Sequence, residues 1–219
     1  MAYIKLKSGN CSVTTTSNGA TIGARFYWEL RLYTTSGSES YSGTSWSYSA
    51  GQYKLYYKLY GTYNGIHNYP HFFGAASASQ TDGSIKLLNG TKNLVTIVTK
   101  YNSNNPTSAT MWFTQSSNGD WTEAHQSDWN ADPNYTTYPV GMVTVTEGNT
   151  LSLSIQANCS VIGRTSGSTS YNGVLNKTSS STSVYVGGGK FTLTKVSATG
   201  SLLAVKRNGT DLANNATIY

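Results

Sequence analysis

The chain has 219 residues, of which 11% are charged, with 15 Lys and Arg against 9 Asp and Glu for a net charge of +6. Charge at under half the usual share of about 25% leaves Ser, Thr, Asn, Tyr and Gly to hold the surface in water, while 17 Tyr and 5 Trp exclude intrinsic disorder, because disordered chains lack a core to hold aromatics. Lys54, Lys58, Lys86, Lys92, Lys100, Lys190 and Lys195 are spread one or two to a predicted strand, which speaks against a nucleic-acid partner and for the guarding of sheet edges.

Near the start, residues 1–10 contain no apolar run of signal-peptide length, and no later stretch approaches the ~20 apolar residues of a membrane span. The expectation is synthesis in a cytoplasm, without export by that route, and no membrane partner. In chain order, strands are predicted over 3–7, 22–33, 52–63, 84–88 and 94–101, then over 109–115, 141–146, 150–157, 183–186, 190–196 and 202–207. The second is the clearest. Ala24, Phe26, Trp28, Leu30 and Leu32 alternate with Arg25, Tyr27, Glu29, Arg31 and Tyr33, the period of a strand with one dry face and one wet face. The apolar set is expected in the core; Arg25, Glu29 and Arg31 are expected in water. Over 52–63, Tyr53, Leu55, Tyr57 and Leu59 alternate with Lys54, Tyr56, Lys58 and Tyr60, so either face keeps at least two tyrosines.

Asn-Gly or Asp-Gly pairs at 18–19, 64–65, 82–83, 89–90, 118–119, 172–173 and 208–209 favour the positive φ of tight hairpin turns. Many short strands with closely spaced turns predict an all-β fold, an antiparallel β-sandwich or jelly-roll-like. It would form one unit over 1–219, or two packed sandwich units split near 161–183. The Ser/Thr/Gly-rich run 165–183 reads as a flexible loop or an inter-domain linker. Segment 120–139 lacks strand alternation, and Asp120 followed by Glu123 has the spacing of a capping box, which predicts one helical turn. Cys11 and Cys159, the only cysteines, both stand in Asn-Cys-Ser-Val. They are expected as buried free thiols, and the repeated tetrapeptide reads as chance recurrence or as two strands entering one core.

The best catalytic candidate is the loop from Asp120 to Asp132, where Glu123 and Asp128 could be the paired carboxylates of a glycosidase with Trp121 and Trp129 as sugar platforms. Carboxylates so close on one loop seldom face each other across a substrate, so a structural loop outweighs this. Trp121 is expected as a plug and Trp129 as the exposed indole. Asp128, Asn130, Asp132 and Asn134 match the opening of a calcium loop, which then fails at Pro133 and Pro139, where a Gly and a Glu are needed. His67 and His71 are too far from a third ligand to argue zinc, and neither a nucleophile elbow nor a phosphate loop occurs. No catalytic residue, metal or cofactor is therefore expected, and the protein is not read as an enzyme. Binding is expected at Tyr56, Tyr60, Trp129, Asp128 and Asp132, because tyrosine joins a stiff apolar ring to a hydroxyl.

The segment Ser-Asn-Gly-Ala-Thr-Ile-Gly-Ala-Arg-Phe-Tyr-Trp-Glu-Leu-Arg-Leu-Tyr at 17–33, followed by Ser40-Tyr41-Ser42-Gly43, resembles the opening of β-sandwich structural proteins of tailed bacteriophages. Within that group it resembles a tail-accessory family of Gram-positive siphophages. Asp82-Gly83-Ser84 and Asn89-Gly90-Thr91-Lys92 resemble it too, and the likeness covers roughly residues 12–115. It implies a virion structural role with no known catalytic residues. Val145-Thr146-Glu147-Gly148-Asn149-Thr150-Leu151 resembles a turn of immunoglobulin-like sandwiches, which often decorate virions and bacterial surfaces. The leading expectation is a phage virion protein of the tail or a head or tail appendage, assembled in the host cytoplasm. Its partners would be copies of itself, other virion proteins and cell-surface glycans. The alternative is a lectin-like carbohydrate-binding sandwich, with a glycan-cleaving enzyme third.

Overall fold

The computed structural model describes residues 3–17, 19–33, 38–42, 45–49, 52–65, 67–73, 76, 81–100, 111–113, 120–127, 136–137, 139–164, 170–187, 190–195, 203–207 and 210–211. They form eighteen strands and no helix. The first half of the chain holds β1 (Tyr3–Ser17), β2 (Ala20–Tyr33), β3 (Ser38–Ser42), β4 (Ser45–Ser49), β5 (Gln52–Asn64), β6 (His67–Phe73), β7 (Gly83–Asn89), β8 (Lys92–Thr99) and β9 (Met111–Phe113). The second half holds β10 (Thr122–Ser127), β11 (Thr136–Thr137), β12 (Val140–Val145), β13 (Thr150–Arg164), β14 (Ser170–Thr178), β15 (Thr182–Tyr185), β16 (Lys190–Lys195), β17 (Leu203–Arg207) and β18 (Thr210–Asp211). The architecture is an open antiparallel β-sandwich, as the alternation predicts.

A thirteen-stranded sheet follows the path β1-β2-β5-β10-β9-β6-β13-β7-β8, with β11 beside β10, β12 beside β5 and both β14 and β15 beside β13. It bends at β10. Thr122 and Glu123 pair with Gly61 and Tyr60 of β5, whereas Ala124, His125 and Gln126 pair with β9. A strand that changes partners in this way carries the chain around a sandwich corner. It brings the β1–β2–β5–β12 half against the half centred on β13, and β1 packs on β13 and β14. A separate five-stranded sheet has the order β18-β17-β16-β4-β3.

The core lies between the two halves. From β2 it takes Ile22, Ala24, Phe26, Trp28, Leu30 and Leu32, in the register expected from the alternation. From β5 it takes Tyr53, Leu55 and Leu59, so the face carrying Tyr56 and Tyr60 is the outer one. The opposite half supplies Ile85, Leu87, Leu153, Ile155, Ala157 and Val161. Cys11 and Cys159 are free and buried in this same core, so both copies of the tetrapeptide enter one interior. The Cys11 thiol donates to the Leu153 carbonyl at 3.4 Å across the sandwich. Burial pushes up both thiol pKa values, and for Cys11 the Trp28 indole beside it opposes this.

One inner row explains the tolerance for bulk. Gly9, Trp28, Tyr57 and Gly141 lie side by side across β1, β2, β5 and β12. A Cβ on Gly9 would sit 2.5 Å from Trp28 Cζ2, and one on Gly141 would sit 2.6 Å from the Tyr57 hydroxyl. Each glycine is the floor on which the neighbouring ring lies, a recurrent way to seat aromatics on a sheet. At the turns, Gly19 has φ 76° and Gly90 has φ 58°, the left-handed region that tight hairpins demand. Asn89 does more than turn: its Oδ1 accepts from the Ser152 amide at 2.8 Å, pinning the β7–β8 hairpin to β13.

Three expectations change. The run 165–183 is not a plain loop, because β14 folds back on β13 from Gln156↔Thr178 to Arg164↔Ser170 and β15 follows. Asn172-Gly173 consequently lies inside a strand instead of at a turn. The helical turn expected at Asp120 is replaced by β10, whose Glu123 faces outward while Ala124 is fully buried. The sequence of β10 contains a single apolar residue, Ala124, so periodicity carries no signal.

Candidate recognition face

The outer face of β1, β2, β5 and β12 gathers the polar half of each alternating strand. Antiparallel register sets Arg25 opposite Tyr60, Tyr27 opposite Lys58, Glu29 opposite Tyr56 and Arg31 opposite Lys54. From β1 come Tyr3, opposite Tyr33, and Lys5, opposite Arg31. From β12 come Val140, opposite Lys58, and Met142, opposite Tyr56. Glu123 of β10 extends the row of Tyr60, with Trp121 just ahead of it.

Its centre is a carboxylate in a basic, aromatic setting. Glu29 Oε1 accepts from the Tyr27 hydroxyl at 2.8 Å, and Oε2 accepts from Arg31 Nε at 2.7 Å. Lys5 Nζ stands 3.8 Å away. The Arg31 guanidinium carbon lies 4.1 Å from the Tyr3 ring centroid and 3.7 Å from that of Tyr56, so it touches aromatic rings of both neighbouring strands. Such contacts stabilise by about 0.5–1 kcal/mol each at exposed sites and more where water is excluded. The result corrects the expected wet face, because Glu29 is only 9% exposed and Arg31 is largely covered. Burial on its own would raise the Glu29 pKa, but the bonds from Tyr27 and Arg31, with the charges of Arg31 and Lys5, outweigh it and hold the carboxyl below its ordinary value. Burial likewise works against the Arg31 charge, and the bonds to Glu29 and Tyr33 overcome it, so the pKa is raised.

The same pairing continues outward. Lys54 Nζ lies 5.1 Å from the Tyr33 ring centroid, and the Tyr33 hydroxyl donates to Met142 Sδ at 2.7 Å. Lys58 Nζ donates to Glu123 Oε1, which raises the lysine's pKa against the effect of burial. Arg25 lies 4.0 Å over the Trp121 ring, and the Trp121 ring reaches over Gly23. Burial lowers the Arg25 pKa and raises those of Tyr56 and Tyr60, so both phenols stay protonated at neutral pH as donors.

Of the residues expected to bind, Tyr56 and Tyr60 lie on this face, four positions apart and half-buried. Asp128, Trp129 and Asp132 lie outside the described residues. Glu123, the other half of the expected carboxylate pair, is engaged by Lys58. Trp121 is half-buried, stacked with Arg25 at the end of the face. Among the described residues no group of three or more His, Cys, Asp or Glu is placed to hold a metal, and no helix is long and apolar enough to cross a membrane. Comparison with protein-family models, curated proteins and solved structures gives no match.

The missed residues are Glu29, Arg31 and Tyr3. Their side of β2 was legible in the alternation, but the pairing with Tyr3 was not, because β1 extends ten residues past the predicted 3–7 strand. What the face offers is ring edges, hydroxyls and cation edges on a stiff sheet, with Met142 and Val140 exposed beside them. Tyr, Arg, Trp and Met are the side chains enriched in protein interfaces.

Proposed function

We propose that this chain is a structural protein of a bacteriophage virion, in the tail or a head or tail appendage, and that its β1–β2–β5–β12 face contacts neighbouring virion proteins. The observation that carries the reading is the composition of that face. Tyr3, Arg31, Tyr56, Arg25, Trp121 and Met142 adjoin on one sheet, and their mutual contacts preorganise them, which lowers the entropy lost on docking. A charged share of only 11% and a hydroxyl-rich composition suit a particle exterior whose contacts must survive changes of salt. The likeness of 17–33 and 82–92 to phage β-sandwich proteins supports the same assignment.

A carbohydrate-binding role would use the same tyrosines with open ring faces, whereas Arg31 lies over Tyr3 and Tyr56 and Lys54 lies over Tyr33. That arrangement favours protein contact. The test is peptide mass spectrometry and antibody labelling of particles purified from the culture that makes the chain. Stoichiometric presence in particles is expected. Absence from particles, with the chain found free, overturns the reading, and a specific hit on a glycan array would favour the carbohydrate role.

A further inference from the structure

Edge strands invite pairing, and natural sheets guard them with lysine, bulges or covering elements. Three of the edges here are guarded. β1 carries Lys5 and Lys7 around a register shift, and its Thr14 carbonyl accepts from Lys177 Nζ at 2.9 Å. β8 opens on Lys92, and Lys100 just after its end pairs with Asp82 at 2.9 Å. β14 carries Lys177 itself. β12 differs. Its sequence Val-Gly-Met-Val-Thr-Val has no charge, its register with β5 runs without a shift, and among the described residues no strand pairs with its other edge. Val140 is 40% exposed and Met142 49%.

We propose that β12 is the edge through which two copies of this chain join, strand to strand and antiparallel about a two-fold axis at Met142. The register follows from side-chain direction. Residues directly opposite in an antiparallel pair must share a face, so the axis must pass through a residue and not between two. Centring on Met142 sets Met142 against its mate and Val140 against Thr144, covering both exposed apolar side chains, while Gly141 meets Val143 on the inner side. No like charges meet within the ladder. Pro139, which lacks an amide donor, falls just outside it. Such pairing would double the β1–β2–β5–β12 half into a continuous sheet and set two recognition faces side by side. The inference deepens the assembly reading by naming its edge and its partner.

The test is sedimentation and light scattering of the full chain and four variants over a wide concentration range. Wild type is expected at twice the chain mass or more. Val140→Lys and Met142→Lys should each return it to the single-chain mass with an unchanged circular dichroism spectrum, and two variants guard against one misfolding. Val174→Lys, at an equally exposed apolar position on β14, should leave association unchanged. Met142→Cys should form a covalent dimer with a mild thiol oxidant such as diamide, because opposite Cα atoms about 4.5–5.5 Å apart fall within disulfide reach and the native thiols are buried. A monomeric wild type, association that survives both lysine variants, or no crosslink at position 142 overturns the proposal. A chain present in particles but unpaired would remove the edge and leave the structural role; a paired chain absent from particles would do the reverse.

Discussion

Arg31 holds Glu29 from two positions away on one strand, with Nη2 at 2.6 Å and Nε at 2.7 Å from the same carboxylate oxygen. On a strand, residues i and i+2 share a face, so the pair needs no tertiary contact to meet. It needs the rings of Tyr3 and Tyr56, from β1 and β5, to exclude water from it.

The covered pair should behave as a packed interaction. Arg31→Ala is expected to cost about 1–3 kcal/mol, the range for a lost charged hydrogen bond with its partner left desolvated. Lys100→Ala, which removes an exposed ion pair to Asp82, should cost under about 0.5 kcal/mol. Urea unfolding of both variants measures the contrast, and equal losses would mean that the outer face contributes nothing special.

Strong acid should loosen this face through Glu29. Its folded pKa lies below the ordinary value of 4.5, so its stabilisation is complete above that value and is lost as pH falls through the folded pKa. Glu29→Gln is expected to melt below wild type near neutrality, with the gap narrowing as pH drops below 4.5. A melting-temperature gap that stays constant from about pH 7 to about pH 3 would show that Glu29 ionisation carries no stability.

Gly9 and Trp28 should be strongly coupled. Gly9→Ala thrusts a methyl into the indole and is expected to cost about 1–3 kcal/mol, as overpacking does. Trp28→Ala should cost about 3–5 kcal/mol through its cavity. In the Trp28→Ala background, Gly9→Ala should be close to neutral, since the ring it strikes is gone. Additive losses in the double mutant would show that Gly9 is required for another reason.

Trp121 and Arg25 offer a test at the other end of the face. A double-mutant cycle to alanine should give a coupling of about 0.5–1 kcal/mol, the usual strength of a partly exposed cation–π contact. Because Trp121 is half-buried, Trp121→Phe should also reduce the fraction of fluorescence open to an aqueous quencher. No change in that fraction would place the indole fully inside.

The all-β class, the inward set of β2 from Ala24 to Leu32, and the hairpin at Asn89-Gly90 were determined by the sequence itself. Strand period and turn chemistry are local properties, written in neighbouring residues. β10, β14 and the length of β1 were not legible. Glu123 is outward because Lys58 awaits it on another strand, and residues 170–178 are a strand because β13 lies alongside, neither of which leaves a local pattern. The choice of which face of β5 to bury was likewise undecided in the sequence, since Tyr57 and Tyr56 are the same residue type. Tertiary structure decided it through one glycine and one arginine: Gly141 leaves room for the ring of Tyr57 on the inside, while Arg31 covers that of Tyr56 on the outside. Alternation sorts side chains into two sets, but only the packing of one sheet on another chooses which set loses its water.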